Sequence, residues 1–187
     1  KIQTVVLDEA DEMLNMGFRE DIDTILSQTN ENEHQTMLFS ATFSKEIENI
    51  TKEYLQNPKV IKVSRKELTL SNITQNYITV REQDKVEVIS RIIDINNYEV
   101  VMIFCNTKKT VDEVTSGLLQ RGFVTEALHG DMKQLQRERV MARFKNKQVN
   151  ILVASDVAAR GLDISDVDVV FNYDLPQEEE YYVHRIG

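Results

Sequence analysis

One cysteine, Cys105, stands among 187 residues, which excludes an intramolecular disulfide and any multi-cysteine zinc site within them. No run of about 18 apolar residues occurs and the amino terminus has no secretory pattern, so the sequence predicts neither membrane insertion nor secretion and reads as cytoplasmic. Basic charge is scarce. Lysine and arginine number 22 against 31 aspartates and glutamates, a formal net charge of −9. That balance excludes a protein that holds nucleic acid by bulk electrostatics, and any such groove must be local. Internal repeats and low-complexity tracts are absent. So is a G-x-x-x-x-G-K-[ST] loop, the arrangement that cradles nucleotide phosphates with backbone N–H groups and a lysine.

Apolar residues make up 41% of the chain, enough for real cores. Apolar runs alternate with amphipathic stretches, which predicts an α/β fold with parallel sheets. Strand candidates are residues 2–7, 36–40 and 60–63, then 74–80, 100–104, 124–128, 150–154 and 167–172. Apolar spacing of three to four predicts helices over 19–28, 45–55, 85–95, 107–121 and 133–144. Ser44 and Thr107 are placed to cap two of them, and the acidic run Glu178 to Glu180 reads as the charged first turn of another. Cys105 ends the apolar run Val100 to Phe104 and is read as a buried strand cysteine rather than a reactive thiol. The polar stretch Ser64 to Asn72 is the candidate linker, dividing the chain into residues 1–66 and 67–187.

The apolar run Val5-Val6-Leu7 leads into Asp8-Glu9-Ala10-Asp11. A buried strand can hold two carboxylates still at its carboxyl edge, where nucleoside triphosphatases keep Mg²⁺. Asp8 would then position the metal on the phosphates and Glu9 would orient the attacking water. On spacing alone, the same pair is equally a solvated turn or a helix N-terminus. Ser40-Ala41-Thr42 ends one strand candidate and precedes a helix; its hydroxyls can bond carboxylates of the neighbouring strand end, or simply cap the helix. Thr107 and His129-Gly130 lie just past strands, where loops of a parallel sheet collect ligands. Thr107 could donate to a phosphate and Gly130 could allow close backbone approach. A plain helix cap and an unliganded loop histidine are the alternatives. Arg137 sits near a helix start, where its charge opposes the dipole.

The stretch VVLDEADEMLNMGF, residues 5–18, closely resembles the corresponding segment of DEAD-box RNA helicases, and six further segments match in that family's order. They are Ser40-Ala41-Thr42; IFCNT at 103–107; His129-Gly130; Gln134 with Arg137 in QLQR; ASDVAARGLD at 154–163; and HRIG at 184–187. The resemblance covers essentially the whole chain. It implies RecA-like parallel-sheet domains, with the carboxyl-terminal part of a first, ATP-binding domain over 1–66 and a nearly complete second domain over 67–187.

The resemblance also implies roles. Asp8, Glu9, Asp11, Ser40, Thr42, His184 and Arg185 are the expected catalytic set, with Asp8 holding Mg²⁺ through water and Ser40 and Thr42 coupling hydrolysis to unwinding. Gly161 and Asp163 would face the ATP, Asp163 on the ribose. Thr107, Gly130, Arg137, Ser155 and Asp156 would contact the RNA backbone. Ser155 stands where many members have threonine, keeping the hydroxyl and losing a methyl. His184 and Arg185 would face the first domain across a cleft, with partners that depend on closure.

In the family a phosphate loop lies upstream of the DEAD box, and arginine fingers would fall one and four residues beyond Gly187. These residues are therefore expected to be part of a longer helicase core and inactive alone, as an ATP-dependent RNA helicase lacking one wall of its site. A non-catalytic RNA-binding or interaction scaffold is the alternative from another class. A DNA translocase is disfavoured by the spellings DEAD and ASDVAARGLD. Protein partners, pathway and RNA substrate are not encoded in any motif of the chain.

Overall fold

The computed structural model describes residues 2–29, 34–63, 73–159, 164, 166–176 and 179–186. The chain divides into two compact units, Lys1–Ser64 and Arg65–Gly187. Both are α/β with parallel strand pairing.

In the first unit, strand β1 (Thr4–Leu7) pairs in parallel with β2 (Gln35–Leu38), Leu7 opposite Leu38. Between them run helices α1 (Ala10–Asn15) and α2 (Arg19–Ser27). Gly17, at φ +82, supplies the left-handed residue that ends α1. The N–H of Phe18 returns to the Met13 carbonyl at 3.0 Å. Helix α3 (Lys45–Tyr54) follows β2; its cap is Ser44, whose hydroxyl accepts from the Ile47 N–H, as the sequence predicts. Leu7, Ala10, Leu14, Ile22, Leu26, Ile47 and Ile50 form one core. Arg19 of α2 reaches Glu53 of α3 at 2.5 Å and Asp23 at 2.9 Å.

The second unit has a four-stranded parallel sheet in the order β4-β5-β3-β6. Its strands are β3 (Val101–Cys105), β4 (Thr125–Leu128), β5 (Ile151–Ser155) and β6 (Val169–Asn172). Every residue of β3 is buried, and the period of two sends its side chains into different cores. Val101, Ile103 and Cys105 meet Ile89 and Ile93 of α4 (Lys85–Asn96) and Val111, Val114 and Leu118 of α5 (Lys108–Leu119). Met102 and Phe104 meet Val140 and Phe144 of α6 (Gln134–Lys145) and Ala158 of the short α7 (Asp156–Ala159). Helix α8 (Glu179–Ile186) follows β6. Cys105 is fully buried, and that burial pushes its thiol up to about 12, which leaves it a packing residue.

Two strand expectations fail. Residues 60–63 and 74–80 carry no ladder among the described residues. Their apolar side chains face solvent, Val63 at 86% and Tyr77 at 93% exposure. Alternating β-branched residues make a segment suited to a sheet, but a strand exists only once a neighbour takes its N–H and C=O groups. The predicted linker, residues 64–72, lies outside the described residues.

Candidate functional site

Parallel pairing in register brings the carboxyl ends of β1 and β2 together, so Asp8-Glu9 and Ser40-Ala41-Thr42 occupy one edge of the first unit. Asp8 and Glu9 are exposed. Glu9 sits at φ 49, ψ 44, a left-handed conformation at the N-cap of α1. A non-glycine residue there costs on the order of 1–3 kcal/mol and persists only where its surroundings over-determine it. Composition and spacing carry no trace of this feature. A strand-to-helix turn too tight for ordinary backbone is what turns Glu9 outward at the edge.

The hydroxyl-to-carboxylate tie expected here exists, but on the fourth letter of the box. Thr42 donates both its N–H (2.7 Å) and its hydroxyl (2.9 Å) to Asp11 Oδ2. The Glu12 N–H donates to Asp11 Oδ1 at 3.1 Å, and the Ser40 hydroxyl, which also donates to the Thr42 carbonyl at 2.6 Å, adds to the field. Burial by itself raises the Asp11 carboxyl; these donors outweigh it and hold Asp11 below the usual carboxylate range. Asp11 thus anchors the Ser40–Thr42 loop, leaving Asp8 and Glu9 at the surface. Among the described residues no three His, Cys, Asp or Glu side chains converge as a metal cage. A lone exposed Asp8 suits Mg²⁺, which keeps several waters and uses one or two carboxylates plus phosphates.

In the second unit the register sets Cys105 beside Ser155, Phe104 beside Asn172 and Leu128 beside Ala154. One edge therefore collects Asn106-Thr107, His129-Gly130, Ser155-Asp156 and Asn172 to Asp174. Thr107 caps α5, its hydroxyl accepting from the Thr110 N–H at 3.1 Å. Next to it, Lys108 pairs with Asp131 at 2.5 Å, and that lysine hydrogen bond lowers the Asp131 carboxyl. A Cβ built on Gly130 meets nothing within 4 Å, so this stretch of backbone is open to a ligand. His129 Nε2 lies 3.3 Å from Asp112 Oδ1.

Two arginines named from the sequence are engaged within the second unit. Arg137 donates to the Ala158 carbonyl at 3.1 Å, joining α6 to α7. The Arg185 side chain is 2% exposed and its guanidinium is occupied within its own unit. Nε donates to Asp156 Oδ1 at 2.6 Å and Nη2 to Asp156 Oδ2 at 2.8 Å. Nη1 donates to the Asp174 carbonyl at 2.6 Å and to Asn172 Oδ1 at 3.1 Å. Nη2 also donates to Asn106 Oδ1 at 2.8 Å, and the group lies 5.3 Å from the Phe104 ring centroid. Burial of a permanently charged side chain demands such saturation. Asn106, Asn172 and Asp174 were not singled out from sequence, although each stands at or just past a strand end. His184 is exposed on α8. Gly161 and Asp163 lie outside the described residues.

Comparisons with known proteins agree with this architecture. The model of the helicase conserved C-terminal domain matches residues 84–187, and that of DEAD/DEAH box helicases matches residues 1–50. Over 186 residues the chain is 51% identical to a DEAD-box ATP-dependent RNA helicase, CshA, of Bacillus licheniformis, covering 100% of this chain and 38% of the relative. The CshA of Streptococcus pneumoniae is 52% identical, with 100% and 35% covered. Among solved structures, S. cerevisiae Dbp5 bound to RNA and ADP BeF3 superimposes with a TM-score of 0.85 at 30% identity, covering 98% of this chain and 49% of that one. A DEAD box protein from Methanococcus jannaschii gives 0.58 at 42% identity, with 98% and 49% covered. The chain spans little more than a third of the curated relatives it matches, 38% and 35% of their lengths.

Proposed function

This chain belongs to the DEAD-box helicase family, with α/β RecA-like parallel-sheet units, and from that premise we propose that it works within an ATP-dependent RNA helicase of the cytoplasm. The observation that carries the reading is the coupling at the first edge: exposed Asp8 and Glu9, with Asp11 of the same four-residue box holding Ser40 and Thr42. An edge that orients water on one side and ties a neighbouring loop on the other suits hydrolysis linked to movement.

Asp8 would hold Mg²⁺ through water, and Glu9, directed outward by its left-handed backbone, would orient the attacking water. Mg²⁺, when bound, would neutralise charge developing on the phosphates. Gly161 and Asp163 are assigned to the nucleotide, and His184 to the same machinery, by their place in the motifs. Thr107, Gly130, Arg137, Ser155 and Asp156 are assigned to RNA phosphates and sugars by their place in the motifs. Nucleotide and RNA bridging two units would favour a closed state that strains one strand from a short duplex, with hydrolysis restoring the open state. These residues contain no phosphate loop, so they are expected to be inactive alone.

The test is RNA-stimulated ATP hydrolysis by the 187-residue chain beside a version extended at both ends, with and without Glu9→Gln in the extended one. Activity confined to the extended form and lost with Glu9→Gln is the expected result. Hydrolysis by the 187 residues alone would overturn the account of the phosphate site. Silence in both forms would favour a non-catalytic RNA-binding scaffold.

A further inference from the structure

We infer that Arg185 is a positioning residue for RNA, which locks the loops after β3, β5 and β6 so that Thr107 and Ser155 are held at the same sheet edge. The inference rests on the proposed function, because it needs that edge to be the RNA-facing one. Its grounds are geometric. Cys105 and Ser155 are paired in register, so Thr107 stands two residues beyond the pair on one strand and Ser155 at the pair on the other. Arg185 holds the residue beside each: Asn106, preceding Thr107, at 2.8 Å, and Asp156, following Ser155, at 2.6 and 2.8 Å. Its other two donors hold Asn172 and the Asp174 carbonyl. One guanidinium, whose five donors form a fixed planar fork, thus spans the loops after β3, β5 and β6.

Charge gives Arg185 a second effect. Asp156 is a carboxylate on an edge assigned to phosphates, where bare negative charge would repel the ligand. The bidentate pair neutralises it, so Asp156 supports RNA binding by being masked, and its direct contact with RNA is no longer required. Lysine cannot reproduce this. A single ammonium offers no planar fork and cannot reach Asp156, Asn106 and Asn172 at these angles together.

The test uses the extended protein and reads the RNA concentration for half-maximal ATPase separately from kcat at saturating RNA. Asn106→Ala removes the Arg185 contact to the loop after β3, together with the Asn106 Nδ2 bond to the Leu175 carbonyl, without touching the Asp156 pair. Arg185→Lys removes the fork. Expected is a rise in the half-saturating RNA of about threefold to fivefold for Asn106→Ala and about tenfold or more for Arg185→Lys, the double variant resembling Arg185→Lys alone because the two act through one contact. Half-saturation within about twofold of the parent in Asn106→Ala, or independent multiplication in the double, overturns the inference, as does a fall confined to kcat. Should Arg185→Lys lose its cooperative thermal transition, Asn106→Ala decides alone by the same criterion. A parent without RNA stimulation would sink the underlying reading, an outcome distinct from a stimulated parent with unchanged variants.

Discussion

Asp11 is a residue whose protonation bears on the stability of the first unit. Its folded pKa lies below the ordinary value of 3.8 because donors from Thr42, Ser40 and Glu12 outweigh burial. A depressed carboxyl contributes stability that is fully present above the unfolded pKa and lost as pH falls through the folded one. Thr42→Val deletes the hydroxyl donor and keeps the N–H. Hydrogen bonds to charged groups are worth about 1.5–3 kcal/mol, so the variant should be destabilised by that order at pH 7. The difference should shrink only as pH falls from the ordinary value of 3.8 through the lower folded pKa, where folded Asp11 takes up its proton. Denaturant unfolding followed by circular dichroism across a series from pH 7 down through the acid range checks this; a loss that stays constant throughout would contradict it. The box was plain in the sequence, but the residue on which Thr42 closes was not. The left-handed residue Glu9 stands between the exposed Asp8 and the Asp11 that Thr42 bonds.

Strand β3 and residues 74–80 both read as strands in the sequence and have opposite fates. Ile103 is fully buried between β5 and β6, with α4 and α5 against it, whereas Ile78 is 58% exposed on a segment without a ladder. Ile103→Ala should cost about 2–5 kcal/mol, the range for a core isoleucine, while Ile78→Ala in the same chain should stay within about 0.5 kcal/mol. Thermal melts of the two variants separate the cases, and comparable losses would mean that 74–80 is packed after all. Local chemistry was legible at element level wherever a single residue decides it. Ser44 and Thr107 cap α3 and α5 as their positions foretell, and the helices over 19–27, 85–96 and 134–145 follow their apolar spacing. Pairing was not legible, because a strand's partner lies elsewhere in the chain. Helices α1, α7 and α8 are four to eight residues long, too short for spacing alone to define.

At the scale of the whole molecule, a net charge of −9 must coexist with the RNA contact proposed for one sheet edge. Lys108, beside Thr107, is already paired with Asp131, and Arg137 and Arg185 are spent on the unit's own carbonyl and carboxylate groups. With Lys108 and Arg185 paired to carboxylates of the unit, the proposed contact falls mainly to hydroxyls and open backbone at Thr107, Ser155 and Gly130. RNA affinity should therefore fall only shallowly with salt, with a log–log slope of about −2 to −3 at roughly −0.7 per phosphate. Fluorescence anisotropy across a salt series measures it, and a slope steeper than about −5 would mean a basic surface that this edge does not hold. By itself the sequence determined the family, the α/β class, the caps and the kinds of residue at each strand end, since these are properties of short windows and of motif order. Only the tertiary structure decided that Asp11 takes the Thr42 hydroxyl, that Asp156 is masked, and that Arg185, 79 residues from Asn106, joins three loops. A buried charge must collect its partners from wherever the sheet brings them, and no local pattern in the chain records that convergence.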